Sequence, residues 1–98
     1  MDNLPADAPP PLGGEGTVAR LRLFVGLMAE LHALGRGVSL ALAAHGQPVL
    51  YVRDGETALA VLSMRAVSGA WLFCWGGGHV AAADGAAHAA HQIAAGVR

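Results

Sequence analysis

Apolar and polar positions follow one period in the first part of the chain and another in the middle, and the change divides it. From Val18 to Leu34 the apolar residues recur at helical spacing, Thr17 is a fair N-cap, and Gly35 with Gly37 supplies the positive φ that ends a helix. A first helix over residues 18 to 34 is therefore predicted. On its surface Val18, Leu21, Leu23, Phe24, Val25, Leu27, Met28, Leu31 and Leu34 spread over about 220°, where little more than about 100° suffices for one buried stripe. A single sheet does not cover such an arc, so the second helix or a partner subunit has to help.

After Gly37 the pattern alternates, with Val38, Leu40 and Leu42 set against Ser39, Ala41 and Ala43. That is a strand over about 38 to 44. His45-Gly46-Gln47-Pro48 reads as a turn, Val49 to Arg53 as a second strand, and Asp54-Gly55 as a hairpin signal before a third strand from about Glu56 to Arg65. Ser68-Gly69 turns the chain again into Ala70 to Trp75. A last segment, about Ala82 to Val97, is rich in alanine, with Asp84 as N-cap and Ile93 and Val97 as bulky anchors. The predicted fold class is α+β: a four-stranded antiparallel meander sheet with an N-terminal and a C-terminal helix, in the order α-β-β-β-β-α.

Two-residue turns at Asp54-Gly55 and Ser68-Gly69 set a register. They pair Arg53 with Glu56, Leu50 with Leu59, Met64 with Phe73 and Leu62 with Trp75. One face then collects Leu50, Val52, Leu59, Val61, Leu72 and Cys74, joined by Val38, Leu40 and Leu42 if the first hairpin has a three-residue loop. The other gathers Val49, Tyr51, Leu62, Met64, Trp71, Phe73 and Trp75. Trp71-Leu72-Phe73-Cys74-Trp75 is apolar on both sides, so this strand is internal or part of an interface. An alanine-rich helix approaches closely enough to complement large aromatics, and the second helix is expected over part of the sheet.

Residues 1 to 16 hold all the prolines but one, with Pro9-Pro10-Pro11 followed by Gly13-Gly14 and Gly16. This composition predicts a disordered Pro/Gly-rich leader, and residues 17 to 98 a single α+β domain. Of the 98 residues 54% are apolar and 13% charged, while a small monomeric core hides only about two thirds of the unfolded surface. The excess points to alanine and glycine content or to a partner. A net charge of −1 with no basic stripe argues against nucleic acid. One cysteine forms no internal disulfide, and neither a signal-peptide pattern nor an apolar run of membrane-spanning length is present, which fits a cytoplasmic protein with no membrane partner.

Five histidines raise the question of a metal. Asp84, His88 and His91 stand four and three apart, on one face if all are helical, and two imidazoles with a carboxylate suit zinc or iron; His79 could join them. A solvated helix face explains the same spacing. Gly76-Gly77-Gly78-His79 resembles loops that bring amides to an anion, yet it lacks a GxGxxG or Walker pattern and any following lysine. Cys74 reads as a packed thiol beside Ser63, and His32 as a core or interface histidine on the first helix. Ser39, Ser63 and Ser68 carry no nucleophile motif. Nothing here requires an enzyme, and no cofactor is implied.

The Trp71-Leu72-Phe73-Cys74-Trp75-Gly76 run, with the leucine-rich helix and Pro48-Val49-Leu50-Tyr51-Val52 before it, resembles a group of small uncharacterised bacterial proteins. That resemblance spans roughly residues 18 to 97 and implies the helix, meander, helix order without any activity. The same order is similar to secretion-chaperone-like domains, which bind partner proteins as dimers. The expected function is a non-enzymatic protein-interaction or regulatory module, a homodimer with an interface drawn from Phe24, Met28, Tyr51, Met64, Trp71, Phe73 and Trp75. The alternative is a small-ligand or metal-binding protein using the Gly76 to His79 loop and the histidines of the second helix.

Overall fold

A computed structural model of the chain describes residues 14–43 and 46–98. The leader reading of residues 1–13 and the placement of His45 in a turn lie outside the described residues. The order of elements is α1 (Gly14–Ala33), β1 (Val38–Leu42), β2 (Pro48–Asp54), β3 (Thr57–Arg65), β4 (Trp71–Trp75), β5 (His79–Ala82) and α2 (Ala86–Gly96). The class is α+β with an antiparallel sheet, and the sheet has five strands in the order β1-β2-β3-β4-β5 rather than four.

The additional strand comes from the glycine turn. Gly76 and Gly77 adopt positive φ, so the chain reverses immediately after β4 and Trp75 pairs with His79. A Cβ on Gly76 would also lie 2.9 Å from the His79 ring, which stacks on Trp75. Glycine is needed there for two reasons, and the segment is a hairpin turn instead of a link to a helix.

Helix α1 begins before Thr17, which lies inside it and is buried. Gly14–Gly16, read from sequence as the end of the leader, are helical. Its C-terminus closes as a Schellman motif: Arg36 N–H donates to the Leu31 carbonyl and Gly35 N–H to the His32 carbonyl, each at 2.9 Å, with Gly35 at φ 78°. No atom lies within 4 Å of a Cβ built on Gly35, so a side chain there meets strain only in the backbone. Gly35→Ala is expected to lower stability by about 1 kcal/mol, read from the midpoint of urea unfolding.

Both helices pack on one face of the sheet. Phe24, Leu27 and Leu31 of α1 and Ala89, Ala90 and Ile93 of α2 enclose Leu50, Val52, Val61, Phe73, Trp75 and Ala81 in one core. The Phe24 and Phe73 rings stack at 5.7 Å. The apolar arc of α1 is wider than its cover, and Val18, Val25 and Leu34 remain exposed.

The ends of the elements are tied together at the top of the sheet. Arg36 donates from its guanidinium to the carbonyls of Ala94 and Arg98, at the C-terminal end of α2 where backbone acceptors lack helical partners. Arg98 N–H in turn donates to Asp54 Oδ1 at 2.9 Å, holding the chain end against the β2–β3 turn.

Candidate functional site

Register decides which residues face outward. Between β3 and β4, Val61 pairs with Trp75, Leu62 with Cys74, Ser63 with Phe73 and Met64 with Leu72. This differs by one residue from the pairing set by a two-residue Ser68-Gly69 turn. The Ala66 N–H donates to the Ala70 carbonyl, and Val67-Ser68-Gly69 forms a three-residue loop with Gly69 at φ 93°. A slip of one exchanges the two faces of a strand. Trp71, Phe73 and Trp75 therefore share the helix-covered face with Val61 and Ser63, and Leu72 and Cys74 join Leu62 and Met64 outside.

The β2–β3 hairpin differs as well, with Asp54 paired to Thr57 across Gly55-Glu56. Here the slip is two residues, and the faces are unchanged. Val38 and Leu40 pair with Val52 and Leu50, placing them on the covered face.

The opposite face is made of Ser39 and Ala41 on β1, Val49, Tyr51 and Arg53 on β2, Ala58, Ala60, Leu62 and Met64 on β3, Leu72 and Cys74 on β4, and Val80 and Ala82 on β5. Leu62 and Met64 are each 45% exposed and Val80 is 53% exposed. Only Arg53, at one corner, carries a charge. Neither helix packs on this face; Val49 within it is buried and Leu72 and Cys74 are half-buried, while Tyr51, Leu62, Met64 and Val80 present an apolar surface to solvent.

The seven residues expected at an interface are divided between these environments. Phe24, Phe73 and Trp75 are buried in the chain's own core, and Met28 and Trp71 pack partly against it. Trp71 also receives the guanidinium groups of Arg20 and Arg65, 5.2 and 5.4 Å from its ring, so cations cover part of its surface. Tyr51 and Met64 lie on the open face. Leu62, Leu72, Cys74 and Val80 belong with them, and the one-residue change of register is what brings Leu72 and Cys74 there.

The metal-ligand spacing rests on a helix that begins too late. Helix α2 starts at Ala86 with Gly85 as N-cap, so Asp84 lies in the preceding turn and neither caps the helix nor continues the face of His88 and His91. His79 stacks on Trp75 at the far end of β5. Among the described residues no three His, Cys, Asp or Glu side chains come together in a way that could hold a metal ion. His32 is exposed on α1 instead of being a core residue. Cys74 neighbours Leu62, not Ser63, and is half-buried, its thiol directed at the Leu62 carbonyl at 3.7 Å.

Two shallow recesses indent the open face. One, of about 310 Å³, is lined by Ala60, Leu62, Cys74, Trp75 and the glycine turn. The other, of about 290 Å³, lies between Ser39, Tyr51, Arg53, Thr57 and Ala58. No described helix is long and apolar enough to cross a membrane. Compared with family models, curated proteins and solved structures, the chain matches none.

Proposed function

We propose that this chain is a non-enzymatic protein-interaction module that works as a homodimer through the open face of its sheet. The supporting observation is the contrast between the two faces. Both helices pack on one, while the other exposes Tyr51, Leu62, Met64 and Val80 with a single charge, Arg53, among its residues. Soluble monomers rarely leave a contiguous apolar patch of more than a few hundred Å² in water, because covering it releases roughly 25 cal/mol for each Å². A partner that contributes a similar surface removes that cost on both sides at once.

The arrangement of side chains fits binding better than catalysis. Among the described residues no three His, Cys, Asp or Glu side chains come together to hold a metal, and the open face has no charged side chain at its centre to orient a substrate. Sedimentation or light scattering of the full chain is expected to give twice the monomer mass at high micromolar concentration. Met64→Asp should shift it to the monomer while leaving far-UV dichroism unchanged, since Met64 is outside the core. A wild-type chain that stays monomeric at the highest soluble concentration would overturn this reading.

A further inference from the structure

From the distribution of large and small residues on the open face we infer how the second copy sits: the two sheets stack face to face about a two-fold axis that crosses the strands at the level of Val61. This inference rests on the dimer proposed above and adds its geometry.

Along β3 the outward residues run Ala58, Ala60, Leu62, Met64, small at one end and large at the other. The next strand repeats the gradient, with Leu72 beside Met64, Cys74 beside Leu62, and the glycine turn following at the level of Ala60. On these two strands the surface is raised at the Met64 end and recessed at the Ala58 end, whereas β2 carries its large residues, Tyr51 and Arg53, beside Ala60 and Ala58. The recess of about 310 Å³ floored by Ala60 and the glycine turn marks the low half.

A closed pair must use the same patch twice, which leaves two simple ways to stack the sheets with their strands nearly aligned. An axis parallel to the strands puts each level opposite itself. Along β3 Met64 then meets Met64 and Leu62 meets Leu62, bulky residue on bulky residue, while the alanines face each other. An axis across the strands inverts one copy, so Met64 lies over Ala58 of the second copy and Leu62 over Ala60. Along β3 and β4 raised then meets recessed, as the packing density of protein interiors requires.

In this seating Tyr51, beside Ala60, lies at the level of the buried Val49 of the second copy. In the parallel-axis arrangement the two Arg53 side chains stand at one end of the sheet together, where like charges repel.

The size is also sufficient. Five strands about 4.8 Å apart and four to five residues of about 3.3 Å rise give a flat area of roughly 400 Å² per copy. Corrugation adds to it, so two copies bury about 1,000 Å², near the lower limit of specific interfaces. Reversible association follows, not an obligate dimer.

Disulfide trapping in a Cys74→Ala background tests the seating. A mixture of Ala58→Cys and Met64→Cys chains should oxidise to a covalent dimer, and either chain alone should not. As a second variant, Ala60→Arg fills the recess from an exposed position and should abolish the dimer without altering thermal unfolding of the monomer. Cross-linking of Met64→Cys with itself, or no cross-link in any combination while the dimer mass persists, would overturn the orientation and leave the dimer standing. A monomer under all conditions would remove both.

Discussion

Phe73→Ala is expected to lower the stability of the domain by about 3–5 kcal/mol, enough to reduce Tm by more than about 12 °C or to leave the chain unfolded at room temperature. Phe73 is completely buried at the centre of β4, in the middle of the covered face. Its ring stacks on Phe24 at an interplanar angle of 23°, so its loss removes both transferred area and a direct aromatic contact between α1 and the sheet. The surroundings have little means of filling the space. Helix α2 contributes alanines to the same core, and Ala89 and Ala90 have no side chain that could swing into a cavity. A domain of this size has a total stability near the low end of about 5–15 kcal/mol, so the substitution takes most of it. Thermal unfolding followed by circular dichroism measures the effect. A Tm within a few degrees of wild type would show that Phe73 is not a core residue, and with it the β3–β4 register would fail.

That register also shows how far the sequence could be read. The helix ended by Gly35 and the alternation after Gly37 were legible, since a glycine at positive φ and a change of period each have one common structural cause. The β3–β4 turn was not. Ser68-Gly69 has the composition of a two-residue hairpin, and Val67 before it looks like a strand residue, yet Val67 is fully exposed at the tip of a three-residue loop. A single residue in that loop decides whether Trp71, Phe73 and Trp75 face the helices or the solvent. The fifth strand was hidden for another reason. His79-Val80-Ala81-Ala82 is short, has one β-branched residue, and runs into an alanine-rich stretch whose propensity is helical. Pairing with β4 overrides that propensity.

The open face was legible only in part for the same reason. Tyr51, Leu62 and Met64 were placed together on one face because the slip in the β2–β3 hairpin was even and left parity intact. Leu72 and Cys74 went to the wrong side with the odd slip. Sequence patterning marked β4 as apolar on both faces, and that remains the correct chemical statement. The loop length determined which apolar set the helices cover and which is left for a partner.

Two adjacent substitutions on β3 separate these faces most sharply. Val61→Asp is expected to prevent folding, whereas Leu62→Asp is expected to leave the monomer folded with a stability change within about 0.5–1 kcal/mol. Val61 is completely buried between its neighbours Leu50 and Trp75, and a carboxylate there loses its hydration among apolar side chains. Among the described residues the buried polar side chains are Thr17 and Ser63, neither of them a cation to receive it. The penalty of several kcal/mol for an uncompensated charge exceeds what a small domain can absorb. At Leu62 the same carboxylate points from the opposite side of the strand into solvent, and backbone pairing to Cys74 continues unchanged. Its effect falls instead on association, because desolvating the charge against a second apolar sheet weakens the dimer at least a hundredfold on the scale of about 2.7 kcal/mol or more. Circular dichroism separates the first outcome and sedimentation the second. If both variants unfold, the open face is a core surface covered by part of the chain. If both fold as dimers, the assignment of faces on β3 is reversed or irrelevant to assembly.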